Sequence, residues 1–167
     1  MAAVQRLNHA VLYVGDVNKS VEFYADTLGM EIAHQFPGAA FMKSAGSNND
    51  HDLGLFQIGA ERPGPAPGRR GLYHLAWQVD TIDDLYAMAQ SLTKIGSLAG
   101  MSDHGSSKSL YAFDPDGIEI EIMWVVPTEA WPVDGATTQP LALDAELKRW
   151  SGVPTGHQAN VPQSLHQ

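Results

Sequence analysis

The stretch 103-DHGSSKSLYAFDPDGIEIEIMW-124 decides how the chain is read. It divides into a loop, a strand, a tight turn and a second strand. In Asp114-Pro115-Asp116-Gly117, proline presets φ at the second turn position and glycine takes the positive φ that closes the turn. Residues 109–113 and 118–124 alternate with period two, the pattern of half-buried strands. In the second run Glu119, Glu121 and Met123 share one face, and Ile118, Ile120, Ile122 and Trp124 share the other. Two glutamates on one face of an apolar strand call for an explanation. A buried carboxylate is costly unless it is paired, hydrogen-bonded or bound to a metal.

Upstream of that hairpin the pattern gives a strand at 72–79 (LYHLAWQV) and a helix carrying Ile82, Leu85, Ala89 and Leu92 on one stripe, ending near Gly96. A further strand is expected at 98–102. The first part of the chain has the same order. Residues 7–14 (LNHAVLYV) form a strand, and Val17, Val21, Tyr24 and Leu28 fall at helical spacing with Gly29 as the C-cap. Strands are expected at 30–36, 39–43 and 52–58. Leu7, His9 and Val14 fall on Leu72, His74 and Val79 with one common offset. The expectation is an α+β protein of paired βαβββ modules, at about 7–58 and 72–125, joined by a Pro/Gly-rich linker at 59–71. Residues 1–126 then make one domain. Residues 127–167 are a C-terminal extension with a short amphipathic helix at 141–150 and no periodicity from 151 onward.

Composition narrows the function. At 167 residues and 44% hydrophobic, the chain suits a single globular domain with a real core. The net charge of -9 argues against nucleic acid or an anionic membrane as partner, because both need basic patches. The absence of cysteine excludes disulfides, thiolate metal ligands and thiol nucleophiles. There is no signal-peptide pattern at the start and no membrane-length apolar run, so a cytoplasmic protein is expected.

A lone histidine in a strand is ordinarily a satisfied structural one. His9 and His74 are different because they occupy equivalent places in the first strands of the two modules. If the modules pair about a pseudo-twofold, both imidazoles reach one cleft together with Glu121. Two imidazoles and one carboxylate on one face of a metal form the facial triad used with non-haem Fe(II), and the set also suits Mn(II), Zn(II) or Ni(II). His51, His104 and Tyr111 have bland readings singly. Together they could supply a base near neutral pH and two hydrogen-bonding groups to a metal-centred cavity. Trp77 and Trp124 fall on the strand faces opposite His74 and Glu121 and are expected in the core or an interface. Lys43, Lys108 and Arg69 are the candidate cations for the mouth of the cleft.

The pattern H-x5-S-L-Y-x2-D-P-x-G-x3-E, present from His104 to Glu121, resembles the signature of type I extradiol catechol dioxygenases of the vicinal oxygen chelate superfamily. The resemblance spans about 7–126 and is closest to the single-domain forms. It implies that His9, His74 and Glu121, rather than Glu119, hold Fe(II), with Mn, Ni or Zn as substitutes. It implies that His51 is the acid/base histidine and that His104 and Tyr111 bind substrate. The implied enzyme cleaves a catechol-type small molecule with O2 to a hydroxymuconic semialdehyde, as a monomer or homo-oligomer. Two other readings belong to the same superfamily: a metal enzyme of glyoxalase or fosfomycin-modifying type, and a non-enzymatic aromatic-binding protein. Glyoxalase-type sites need a fourth protein ligand late in the first module. The only residue of suitable type there is Gln57, beside the apolar run 53–56.

Overall fold

The computed structural model describes residues 2–156 except 67, 69 and 136. The chain divides into two compact units. One comprises residues 1–67 with 115–117, and the other residues 68–114 with 118–167.

In the first unit β1 (Ala10–Val14) leads into α1 (Val17–Leu28), and β2 (Glu31–Phe36), β3 (Ala39–Lys43) and β4 (Leu53–Gln57) follow. The helix starts where expected because the Asp16 side chain accepts from the N–H groups of Asn18 and Lys19. It stops at Gly29, which takes φ 64° and folds its N–H back onto the last turn. The four strands form one sheet in the order β1-β4-β3-β2, with β1 parallel to β4 and the other neighbours antiparallel. Leu12, Val14, Met42, Leu53 and Leu55 alternate onto the face covered by α1 and are buried with Val17, Val21 and Tyr24.

The second unit repeats this order with β5 (Leu75–Gln78), α2 (Ile82–Lys94), β6 (Leu98–Asp103), β7 (Ser107–Phe113) and β8 (Glu119–Val125). Thr81 opens α2 with a capping box to Asp84. The sheet order is β5-β8-β7-β6, again with the first pair parallel, and β6 then pairs with β9 (Gln139–Pro140). The offset of 65 residues that carries His9 to His74 also carries Val17, the start of α1, to Ile82, the start of α2. Both second strands carry a register shift near their start, between Ile32 and His34 in β2 and between Leu98 and Gly100 in β6. Leu110, Ala112, Ile120, Ile122 and Trp124 form the buried face with Ile82, Leu85 and Leu92. The architecture is therefore α+β, built from paired βαβββ modules.

The first strands of both modules begin three residues later than their composition suggests. A strand exists only where a partner ladder exists. The Ala10 N–H bonds to the Asp52 carbonyl, where β4 is about to begin, and the segment ahead of it has no ladder to join. Leu7, Leu72 and Tyr73 are accordingly exposed.

After β8 come a short 3-10 turn at Thr128–Ala130, then β9, then α3 (Leu143–Trp150). α3 rests on the second unit through the Trp150 ring, 5.7 Å from Trp124, and through Glu146, 3.4 Å from Lys108 Nζ. Lys108 is thus not a cleft cation. Period two places it on the Trp124 face of the sheet, 5% exposed, with its ammonium 2.6 Å from Asp103. Arg69 and residues 157–167 lie outside the described residues. No described helix is long and apolar enough to cross a membrane.

Candidate functional site

In the second unit the ladder places Ala76, Glu121 and Tyr111 side by side across β5, β8 and β7. His74 lies two residues before Ala76, so it falls on the same face. Its Nε2 is 3.0 Å from Glu121 Oε2, and Glu121 is only 8% exposed. A carboxylate only accepts, so the imidazole donates through Nε2. Its Nδ1 is buried without a hydrogen bond, and Glu119 Oε1 is 3.6 Å away. The Tyr111 hydroxyl is 3.3 Å from Glu121 Oε1 and 2.9 Å from His104 Nε2. A continuous chain of polar contacts therefore runs from His74 through Glu121 and Tyr111 to His104. Burial, then the negative charge of Glu121 and its hydrogen bond, push the Tyr111 phenol up to about 12. Tyr111 is a neutral hydroxyl throughout the range in which an enzyme is assayed.

The remaining candidates lie in the first unit. His9 and His51 pack ring to ring with centroids 4.6 Å apart, and His51 meets the edge of Phe41 at 4.8 Å. His51 Nδ1 is 2.9 Å from Asp50 Oδ2, so Nδ1 carries the proton and Nε2 is left as the acceptor. The hydrogen bond from His51, with a second contact from His34, holds the Asp50 carboxyl below its ordinary value. His9 Nδ1 lies 2.8 Å from Asn8 Oδ1.

Sequence reasoning missed the groups that hold these residues. Buried Asn49 donates to the Asn8 carbonyl at 2.8 Å and to Asp52 Oδ1 at 2.6 Å. It thereby ties the segment carrying His9 to the loop carrying His51. Burial alone would raise the Asp52 carboxyl, but the Ser44 N–H, Ser47 and Asn49 outweigh it, and Asp52 sits below its ordinary value. The polar run Asn48-Asn49-Asp50-His51-Asp52 was the available signal.

The two ladders can be compared rung by rung. Val11, Gly54 and Phe41 are neighbours in the first unit where Ala76, Glu121 and Tyr111 are neighbours in the second. The first module thus has glycine in the place of Glu121 and phenylalanine in the place of Tyr111. A Cβ on Gly54 would lie 3.3 Å from Val11 Cγ2, tighter than ordinary contact, and 3.5 Å from Phe41 Cε1, an ordinary van der Waals distance. Gln57 is engaged elsewhere: its Oε1 accepts the Val17 N–H at the start of α1, at 3.1 Å.

A histidine Nε2 and a carboxylate oxygen that meet on one sheet face are two of the donors a divalent metal uses, and a metal would replace the proton they share. His74 and Glu121 fit that role by donor type and contact. Among the described residues, no three His, Asp or Glu side chains are gathered around one point.

Residues 6–122 match the Glyoxalase/Bleomycin resistance protein/Dioxygenase superfamily. The chain belongs to this family. It is 29% identical to biphenyl-2,3-diol 1,2-dioxygenase 3 of Rhodococcus globerulus, over 92% of this chain and 87% of that protein. It is 26% identical to metapyrocatechase 2 of Cupriavidus necator over 87% of this chain, and spans 44% of that longer protein. It is also 28% identical to a lactoylglutathione lyase of Neisseria meningitidis, over 71% of this chain and 89% of the lyase. Among solved structures, a glyoxylase/bleomycin resistance protein/dioxygenase domain from Frankia sp. EAN1pec superimposes with a TM-score of 0.63 at 21% identity, covering 74% of this chain and all of that one.

Proposed function

We propose that this chain is an Fe(II)-dependent extradiol dioxygenase that opens the ring of a catechol-type substrate with O2. The observation that carries the proposal is the asymmetry between the two ladders. Glu121 is supported by His74, Tyr111 and His104. The equivalent place in the first module is Gly54, backed by the Phe41 ring. A lyase of glyoxalase type needs a fourth ligand at that end of the first module, and Gln57 is spent on a helix terminus. The ligands we propose are His9, His74 and Glu121. Such a set leaves open positions for a chelating diol and for O2.

Fe(II), when bound, supplies two-point chelation of the diol and activation of O2. The protein's groups do the rest. Tyr111, neutral and paired with His104, fixes one diol oxygen. His51 presents Nε2 to the substrate side because Asp50 holds Nδ1, so it can take a diol proton and return it as the ring opens. Phe41, edge-on to His51, packs apolar surface against that histidine. One relative, biphenyl-2,3-diol 1,2-dioxygenase 3, is named for a diol, which agrees with this assignment. Mn, Ni or Zn can occupy such a donor set in place of iron.

The test is anaerobic Fe(II) loading followed by oxygen uptake and visible absorbance on a panel of catechols. Oxygen consumed in step with a yellow ring-opened product is the expected result. Iron bound without oxygen uptake on any diol refutes the reaction. Replacing Glu121 with Ala should abolish stoichiometric metal binding, and retained iron would sink the ligand assignment.

A further inference from the structure

One of the two same-face glutamates of β8 still has no task. Glu121 meets His74 Nε2, whereas Glu119 lies at the other nitrogen of the same imidazole, with Oε1 3.6 Å from Nδ1. That gap is too wide for a hydrogen bond, and Nδ1 is buried without one. We infer that Glu119 is the positioning residue for His74: when a divalent metal takes Nε2, Glu119 accepts the hydrogen bond of Nδ1–H and fixes the ring toward the metal. The inference rests on the proposed ligand role of His74 and deepens it, by assigning the carboxylate that orients that ligand.

The chemistry of a metal-bound imidazole requires such a partner. A neutral imidazole has one proton, and once Nε2 gives its lone pair to a metal that proton can only sit on Nδ1. A buried N–H left without an acceptor costs free energy. A metal-bound histidine ordinarily gives its other N–H to a carboxylate, a backbone carbonyl or water, which fixes the ring and raises its basicity. Glu119 Oε1 has to close from 3.6 Å to about 2.9 Å, a movement that rotation about its own side-chain bonds supplies.

The register puts Glu119 there. Leu75 pairs with Ile120, so one step back along the parallel ladder His74 falls beside Glu119. The same step in the first module puts His9 beside Asp52, since Ala10 pairs with Leu53. Each module thus sets an acid beside its histidine, and the two acids are used differently. Asp52 spends its oxygens on the Ser44 N–H, the Ser47 hydroxyl and the Asn49 amide. His9 Nδ1 already has an amide oxygen, Asn8 Oδ1, at 2.8 Å. Among the described residues the Glu119 carboxylate has His74 alone as a partner, so it is available for the nitrogen that lacks one.

Zn(II) affinity of the full chain, measured by competition with a chromophoric chelator, tests this without iron, O2 or a catechol. Glu119→Ala should bind Zn(II) about 10–100-fold more weakly than wild type. Glu119→Gln keeps an oxygen acceptor at the same reach and should recover most of that loss. Glu119→Asp keeps the charge but falls short of Nδ1, and should bind about as weakly as Glu119→Ala. Nitrogen-15 NMR of the Zn(II)-loaded chain should show His74 bound through Nε2 with its proton on Nδ1. Wild-type affinity in Glu119→Ala overturns the inference, as does zinc bound through Nδ1. Affinity kept by Glu119→Asp and lost by Glu119→Gln would make Glu119 a distant charge, and complete loss of zinc in Glu119→Ala would make it a ligand; either result overturns the positioning role. If Glu119→Ala does not fold, the order of the Gln and Asp variants still decides. Zinc retained in Glu121→Ala refutes the ligand reading and this inference with it, whereas zinc lost there but unaffected in Glu119→Ala refutes this inference alone.

Discussion

Replacing Lys108 with Met should destabilise the protein far more than a surface lysine would. Lys108 is 5% exposed, and its ammonium lies 2.6 Å from Asp103 and 3.4 Å from Glu146. A methionine fills much the same volume, so the cost is electrostatic. Removing one partner of a buried pair costs about 3–5 kcal/mol. Asp103 keeps the Gly105 N–H and some water, and Glu146 keeps the Trp150 indole N–H, so the lower end, about 3 kcal/mol, is expected. For a chain of this length that is a fall in Tm of roughly 6–12 °C. The triple neutral variant Lys108→Met, Asp103→Asn, Glu146→Gln should recover most of the loss, because uncharged groups of similar shape need no counter-ion. The two variants also differ in pH dependence. Burial opposes ionisation of Asp103, but the Lys108 and Gly105 hydrogen bonds outweigh it and hold its folded pKa below 3.8. In the wild type that stabilisation is present above the unfolded pKa and disappears as pH falls through the lower folded value. Without Lys108 the two carboxylates face each other unpaired, and the single variant should lose less relative to wild type in mild acid than at pH 7. Urea unfolding at several pH values measures both. A Lys108→Met cost under about 1 kcal/mol at neutral pH would refute the argument that a buried cation holds α3 to β7.

Two further outcomes concern the site. The Tyr111 phenol, pushed up to about 12, should ionise after the other tyrosines in a spectrophotometric titration of the metal-free protein. Because its folded pKa is raised, the stability it contributes is complete below pH 10 and is lost as pH rises toward 12. Glu121→Gln should bring the phenol down without reaching the ordinary value, since burial is the larger cause; an unaltered late transition in that variant would mean that the carboxylate plays no part. His51→Ala should leave Fe(II) bound while lowering turnover by about 10²–10⁴-fold, the usual contribution of general acid–base catalysis. Loss of iron in that variant would make His51 a ligand and refute its proton-handling role.

Much of this was legible in the residues because it depends on local or periodic chemistry. Asp16 and Gly29 bracket α1, and the common offset from His9 to His74 reports the repeated module before any coordinates are known. The pairing of Glu121 with His74 was foreshadowed by a charged residue on a strand face with nothing nearby in sequence to satisfy it. What stayed hidden depends on partners far along the chain. Lys108 sits in a serine-rich strand and looks solvated, since nothing near it announces that Glu146 will arrive on α3. The Thr137 carbonyl that lies 3.2 Å from His104 Nδ1 is a group every residue has, so Thr137 carries no compositional mark. The starts of β1 and β5 were set by where β4 and β8 begin rather than by their own residues.

The contrast between Gly54 and Glu121 also bears on how readily such a chain could change its chemistry. A glycine codon can become a glutamate codon by a single nucleotide change, so a second carboxylate at the equivalent rung is a short mutational step. That step meets Val11 first, because a Cβ at Gly54 would stand 3.3 Å from Val11 Cγ2, whereas the Phe41 ring at 3.5 Å is at ordinary contact distance. A lineage can therefore carry a carboxylate on both rungs only if the Val11 side chain yields by a few tenths of an ångström.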